Sequence, residues 1–174
     1  MYVSLLCTGF DSEENQGMRK RIIDGGMPGA PAGEGKWIDL EPLARVELTS
    51  EDPEYPVEGA LSLQGGAGWC AQHPGRQTLR LLFDEPLRIS RIHLVFQETQ
   101  RQRTQEFLLR WSPDAGASWQ EIVRQQYNFS PPDSRQEIEE FAVDIHGLTL
   151  LELVIIPDIS GGEARASLAR LRLA

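Results

Sequence analysis

After Trp37 the chain alternates apolar and polar residues in short runs divided by turn residues. Val46 and Leu48 interleave with Arg45, Glu47 and Thr49. Leu79, Leu81 and Phe83 share one face ahead of the turn Asp84-Glu85-Pro86. Ser90, Ile92, Leu94 and Phe96 take one face, Arg91 and His93 the other. Phe107, Leu109 and Trp111 form a further inward set, followed by Phe141, Val143 and Ile145, then by Leu151, Leu153 and Ile155 before Pro157. Ala169, Leu171 and Leu173, interleaved with Arg170 and Arg172, close the series. Successive side chains of a strand point to opposite faces, so this period of two predicts half-buried strands. Few segments sustain a helical period. Ser134 to Glu140, with Ser134 as a cap and Glu137 three residues on, predicts a single helical turn. Many short strands and almost no helix point to an all-β sandwich or barrel.

Residues 1–36 break this rhythm. Tyr2-Val3-Ser4-Leu5-Leu6-Cys7 suits one short strand, whereas Asp11 to Lys36 is charged and then rich in Gly and Pro. Such a composition buries too little apolar surface to offset chain entropy. It predicts a flexible N-terminal extension, 1–36, ahead of a folded domain, 37–174. Docking of the first strand on a second copy is the route by which this extension would build a homo-oligomer.

Composition narrows the partners. With 174 residues, 40% of them hydrophobic, the chain can fill one core. A formal net charge of −9 repels phosphate backbones and acidic lipid, so neither nucleic acid nor membrane is expected as a partner. Lys occurs only at Lys20 and Lys36, leaving Arg as the main cation. Its planar, forked guanidinium suits carboxylates and sugar hydroxyls. Cys7 and Cys70 are too few for a disulfide framework, and Asp11, Glu13 and Glu14 follow the short apolar start, unlike an export signal. No run reaches the roughly 18–20 apolar residues of a membrane span. These features lead us to expect a cytoplasmic protein with free thiols.

Several stretches carry more than periodicity. Leu48-Thr49-Ser50 precedes the loop Glu51-Asp52-Pro53-Glu54-Tyr55-Pro56, and Glu58-Gly59-Ala60-Leu61 and Gly68-Trp69 follow. Gln77 to Pro86 leads into Ile89 to Phe96. Glu106-Phe107-Leu108-Leu109-Arg110-Trp111-Ser112-Pro113-Asp114-Ala115-Gly116 is followed by Trp119. Over residues 37–174 this order resembles the discoidin, or coagulation-factor C-type, domain of the galactose-binding-like superfamily. The resemblance implies an eight-stranded antiparallel jelly-roll β-sandwich. It also implies a binding module for sugars, phospholipids or proteins, whose ligand loops map to Thr49–Glu58, Gln64–Trp69 and Gln97–Thr104. Many members carry Asp-Gly after the Ala-Leu pair, in a loop that holds calcium. Ser62 and Leu63 stand there, and Gln64-Gly65-Gly66-Ala67 offers no carboxylate, so neither a metal nor a cofactor is expected. The chain lacks the Cys near residue 174 with which extracellular members tie their ends, as an intracellular relative would.

The candidate ligand residues lie in these loops and in one further stretch. Tyr55, between Pro53 and Pro56, suits an exposed anchor, or a ring packed on its own loop. Gln97, Arg101 and Arg103 belong to a loop dense in planar hydrogen-bonding groups, which also reads as an ordinary polar hairpin. Gln126, Tyr127 and Asn128 set an aromatic face beside amides ahead of Pro131-Pro132. Such a set can stack a sugar ring and bind its hydroxyls, or can equally be a sandwich edge with Phe129 in the core. Trp37, Trp69, Trp111 and Trp119 read as core or rim residues.

No residue set forms an active site. His73, His93 and His146 are dispersed, and the Asp144/His146 pair lacks a third ligand or a nucleophile. Glu139 and Glu140 diverge across a strand, and neither a phosphate-cradling loop nor a Cys-x-x-Cys is present. The expectation is therefore a non-catalytic module that binds carbohydrate or a related small polar ligand through loops at one pole. The alternative is a protein-interaction or assembly module using the same loops or the N-terminal arm.

Overall fold

The computed structural model describes residues 36–174; the expectations for the extension, the Tyr2–Cys7 strand and Cys7 among them, lie outside these residues. The described chain is nearly all strand: β1 (Ala44–Leu48), β2 (Trp69–Pro74), β3 (Gln77–Gln97), β4 (Arg103–Ser112), β5 (Gln120–Phe129), β6 (Gln136–Ile156), β7 (Arg165–Leu168) and β8 (Arg170–Leu173). The order β1-β3-β6-β4-β5, with β8 also on β3, makes one antiparallel sheet, and β2 pairs β7 separately. This is the expected antiparallel jelly-roll sandwich. One helical turn, α1 (Glu58–Leu61), leads into the Gly-rich loop.

The long strands β3 and β6 make the sandwich by changing neighbours at a bend. The first half of β3 pairs with β1 and with the second half of β6, whereas its second half pairs with β8 and with the first half of β6. The register shifts between Leu82 and Leu87, where Pro86 cannot donate to the ladder. On β6 the bend falls at Gly147, whose φ of +79° suits a residue without Cβ. A second irregularity between Ile89 and Arg91 swaps the faces of β3. Leu79, Leu81, Phe83 and Ile89 face the core before it, and Ile92, Leu94 and Phe96 after it. Ser90, read from the sequence as part of the inward stripe, is exposed for this reason.

The inward positions of all these strands form one core, with Trp69, Phe96, Phe107, Phe129, Leu171 and Leu173 among its buried members. Burial of such side chains contributes on the order of 1.5–3 kcal/mol each. Trp111 packs against this core, while Trp37 and Trp119 are half-buried beneath the guanidinium groups of Arg91 and Arg110, 4.0 and 4.1 Å from the ring centroids. Arg172, an outward residue by its pattern, is buried: it donates to the carbonyls of Ala60, Leu61, Ser62 and Leu171. It thereby satisfies the carbonyls that α1 leaves open at its end. The helical turn expected at Ser134–Glu140 is not formed. Ser134 instead bridges Ser130, and β6 starts at Gln136, because Gln136 to Ile138 pair with Val95 to Gln97 of β3.

Candidate functional site

Four connections meet at one pole: residues 49–57, the Gly-rich loop 62–68, residues 98–102 and residues 157–164. The first is tied to β2 by Asp52 N–H to Cys70 O at 2.9 Å and Cys70 N–H to Tyr55 O at 3.1 Å. The Gly-rich loop lies backbone to backbone on α1. A Cβ on Gly66 would sit 2.7 Å from the Gly59 Cα, so the loop closes only with glycine there.

Glu98 shapes the third connection. Its carboxylate accepts the backbone N–H of Gln100 and of Arg101, at 2.8 and 3.2 Å, and the Nε–H of Arg103 at 2.7 Å. Burial pushes its pKa up, but these donors outweigh it and hold the carboxyl below its ordinary value. The clamp turns the loop so that Gln100 and Arg101 stay exposed while Arg103 goes inside.

Between these connections lies a groove of about 460 Å3, lined among others by Tyr55, Trp69, Gln97, Gln100, Arg101 and Arg165. Its size lies in the range of small-molecule sites. Tyr55 is 40% exposed. Arg165 gives one nitrogen to Asp52 at 2.8 Å, and its side chain remains 41% exposed along the groove. That hydrogen bond holds the Asp52 carboxyl below its ordinary value. The Cys70 thiol, a free cysteine on the groove wall, is pushed up by burial. Trp69 is buried, and its indole N–H has no acceptor among the described residues. The groove thus offers amides, two guanidinium groups and one phenol ring within a small volume.

The sequence-derived residues divide among three places. Tyr55, Gln97 and Arg101 line this groove together. Arg103 does not: its side chain is 2% exposed, bonded to Glu98, Gln105 and the Pro157 carbonyl, and stacked on Phe129. Its position in an apparently polar loop hid the fact that it opens β4, where alternate side chains face the core. Gln126, Tyr127 and Asn128 do not form one patch, since they alternate along β5. Gln126 is exposed and bonds Glu106, and Asn128 is exposed and accepts from the Thr104 hydroxyl. Tyr127 points the other way, packs edge-on against Phe129 and bonds Ser134 and the Gln136 carbonyl. It lines a second groove of about 490 Å3 that shares Gln97 and Thr99 with the first. Arg165 and Gln100 were not singled out from the sequence. The Gly161-Gly162 turn, whose neighbour Glu163 borders the groove, was the available signal.

Among the described residues no group of three or more His, Cys, Asp or Glu is placed to hold a metal. Asp144 and His146 meet at 3.0 Å on the exposed face of β6, beside Arg88. Among the described residues no helix is long and apolar enough to cross a membrane.

No family model matches the sequence, and no curated protein does. Solved structures match the fold over most of the chain. A family 32 carbohydrate-binding module of NanJ from C. perfringens, in complex with galactose, is 14% identical, with 79% of this chain and 96% of that one covered at a TM-score of 0.57. A pectin-binding carbohydrate-binding module is 18% identical, with 75% and 89% covered and a TM-score of 0.53. XRCC1 bound to the DNA polymerase β catalytic domain is 15% identical, with 76% and 96% covered and a TM-score of 0.52. The described domain therefore has the jelly-roll fold seen in family 32 carbohydrate-binding modules.

Proposed function

We propose that the domain is a non-catalytic carbohydrate-binding module and that its ligand lies in the groove between Tyr55, Gln97, Arg101 and Arg165. The observation that carries this reading is the meeting of Tyr55, Gln97 and Arg101, from two loops distant in sequence, on one groove of sugar size. The Tyr55 ring can stack on the CH face of a pyranose. Gln97, Gln100 and Arg101 can pair with its hydroxyls, and the Asp52-anchored Arg165 is held in place to do the same. An anchored guanidinium loses less freedom on binding, which favours its use as a contact. The likeness to modules solved with galactose or described as pectin-binding supports a carbohydrate of neutral or acidic type.

Affinity from a shallow polar groove and one ring is expected to be weak. The test is a glycan array followed by titration of each hit against the wild type, Tyr55→Ala and Arg101→Ala. Loss of binding in both variants supports the assignment. Binding that survives both substitutions moves the ligand elsewhere, and no hit at any glycan removes the carbohydrate reading.

A further inference from the structure

Beneath the pole lies a buried carboxyl, Glu137, beside the half-buried Glu139, and the ligand groove uses neither. Glu137 opens the inward face of β6 and is 2% exposed. Among the described residues no donor reaches either of its carboxylate oxygens, and the Gln105 amide nitrogen on β4 is likewise buried without an acceptor. Buried polar groups without partners are costly, so each calls for a physical explanation. The Glu139 carboxylate, two residues along the same face, is placed to accept a hydrogen bond from a protonated Glu137. Two carboxylates can share such a contact only when one of them carries a proton.

We propose that buried Glu137 carries a proton, which it gives to Glu139 in a hydrogen bond, and that its loss loosens the β5–β6 side of the loop pole. Protonated Glu137 is the donor, and Glu139, which also accepts from the Gln125 amide of β5, is the acceptor. This chain of bonds runs from β6 to β5 beside a second link, the Tyr127 hydroxyl on the Gln136 carbonyl. Once Glu137 has lost its proton, its charge repels the Glu139 carboxylate away from Gln125, and β5 loses a contact with its neighbour.

The surroundings favour the proton. Burial is the main influence and Glu139 the next, and together they push Glu137 up to about 8. Arg103 on β4 acts in the opposite sense, but Glu98 already engages its guanidinium. The β3 partner of Glu137 is Phe96, which carries no charge in the core. From β5 come the Gln125 amide, which bonds Glu139, and the Tyr127 phenol, engaged by Ser134 and Gln136.

The sign follows from linkage. A carboxyl whose native value lies above its exposed value binds more protons in the closed state than in the open one. Opening therefore becomes easier as pH rises from about 4.5, the ordinary value of Glu, to about 8, and it levels off above that. Within this window each pH unit can raise the opening equilibrium by up to about tenfold.

Hydrogen exchange of the full chain between pH 5 and 9, corrected for the intrinsic rate of exchange, tests this. In the wild type, protection in Gln120–Phe129 and Gln136–Phe141 should fall with pH and then level off near pH 8, while β1 and the first half of β3 stay flat. Glu137→Gln cannot ionise and keeps a donor for Glu139, so its profile should be flat in all four segments. Identical profiles in the two proteins, or loss spread evenly over every strand, would overturn the proposal. Infrared spectra of the wild type give a readout that needs no variant to fold. A protonated-carboxyl band present at pH 7 and lost by pH 9 supports the proton on Glu137, and its absence at pH 7 refutes it.

Discussion

The groove at the loop pole and the outward face of β5 carry the same kinds of side chain, amides and an arginine, yet they have opposite fates. On β5, Arg124 and Gln126 both bond Glu106, and Asn128 bonds Thr104, all on a flat sheet surface. Their hydrogen-bonding capacity is largely spent on strand neighbours. At the pole, Tyr55, Gln97, Arg101 and Arg165 come from different connections and stand around a hollow. The difference shows that polarity alone does not make a site. A site needs polar groups held in place by others while their own contacts stay open, as Asp52 holds Arg165 and Glu98 holds the backbone of Arg101.

Substitutions can break this comparison at several strengths. The largest effect is expected at Arg103, which supports the groove from inside. Arg103→Ala removes the partner of a part-buried carboxylate and of the Gln105 carbonyl oxygen, and should cost about 3–5 kcal/mol of stability, read by chemical denaturation. A cost near zero would mean that the loop does not depend on this clamp. Next come the groove residues. Tyr55→Ala and Arg101→Ala should each weaken glycan binding by about tenfold, on the order of 1–2 kcal/mol, with an unchanged melting temperature. The smallest effect is expected on β5. Gln126→Ala and Asn128→Ala should leave binding unaltered by calorimetry and stability within about 0.5 kcal/mol, as for surface positions in general. If either lowers affinity as much as Arg101→Ala does, the two regions are not distinct and the ligand reaches the sheet face.

Much of the fold was legible before any coordinates, because burial on one face imposes a period of two wherever a strand is half-buried. Leu79, Leu81 and Phe83, or Leu151, Leu153 and Ile155, declare their strands in this way. The bend was only half legible. Pro86 marked a turn, but the continuity of β3 through it depends on pairing with β6, some sixty residues further along.

Buried charge was not legible at all. Glu152 alternates with apolar neighbours as an outward residue should, yet it is 1% exposed because Arg80 and Arg110, its partners on the flanking strands β3 and β4, close over it at 2.7 and 2.6 Å. Arg172 hid in the same way, its burial set by the carbonyls of Ala60, Leu61 and Ser62, which no local window contains. For the site, loop composition singled out Tyr55, Gln97 and Arg101, which line one groove. It could not separate them from Gln126 and Asn128, because facing direction on β5 depends on where that strand begins.

The most direct test of the central claim is an NMR titration of the isotope-labelled full chain with galactose and with galacturonic-acid oligosaccharides, following every assigned amide. The account predicts shift changes that cluster at Tyr55, Gln97 to Arg101 and Arg165, with the amides of Arg124, Gln126 and Asn128 unmoved. Changes centred on β5, or none with either sugar up to saturating concentration, would contradict it.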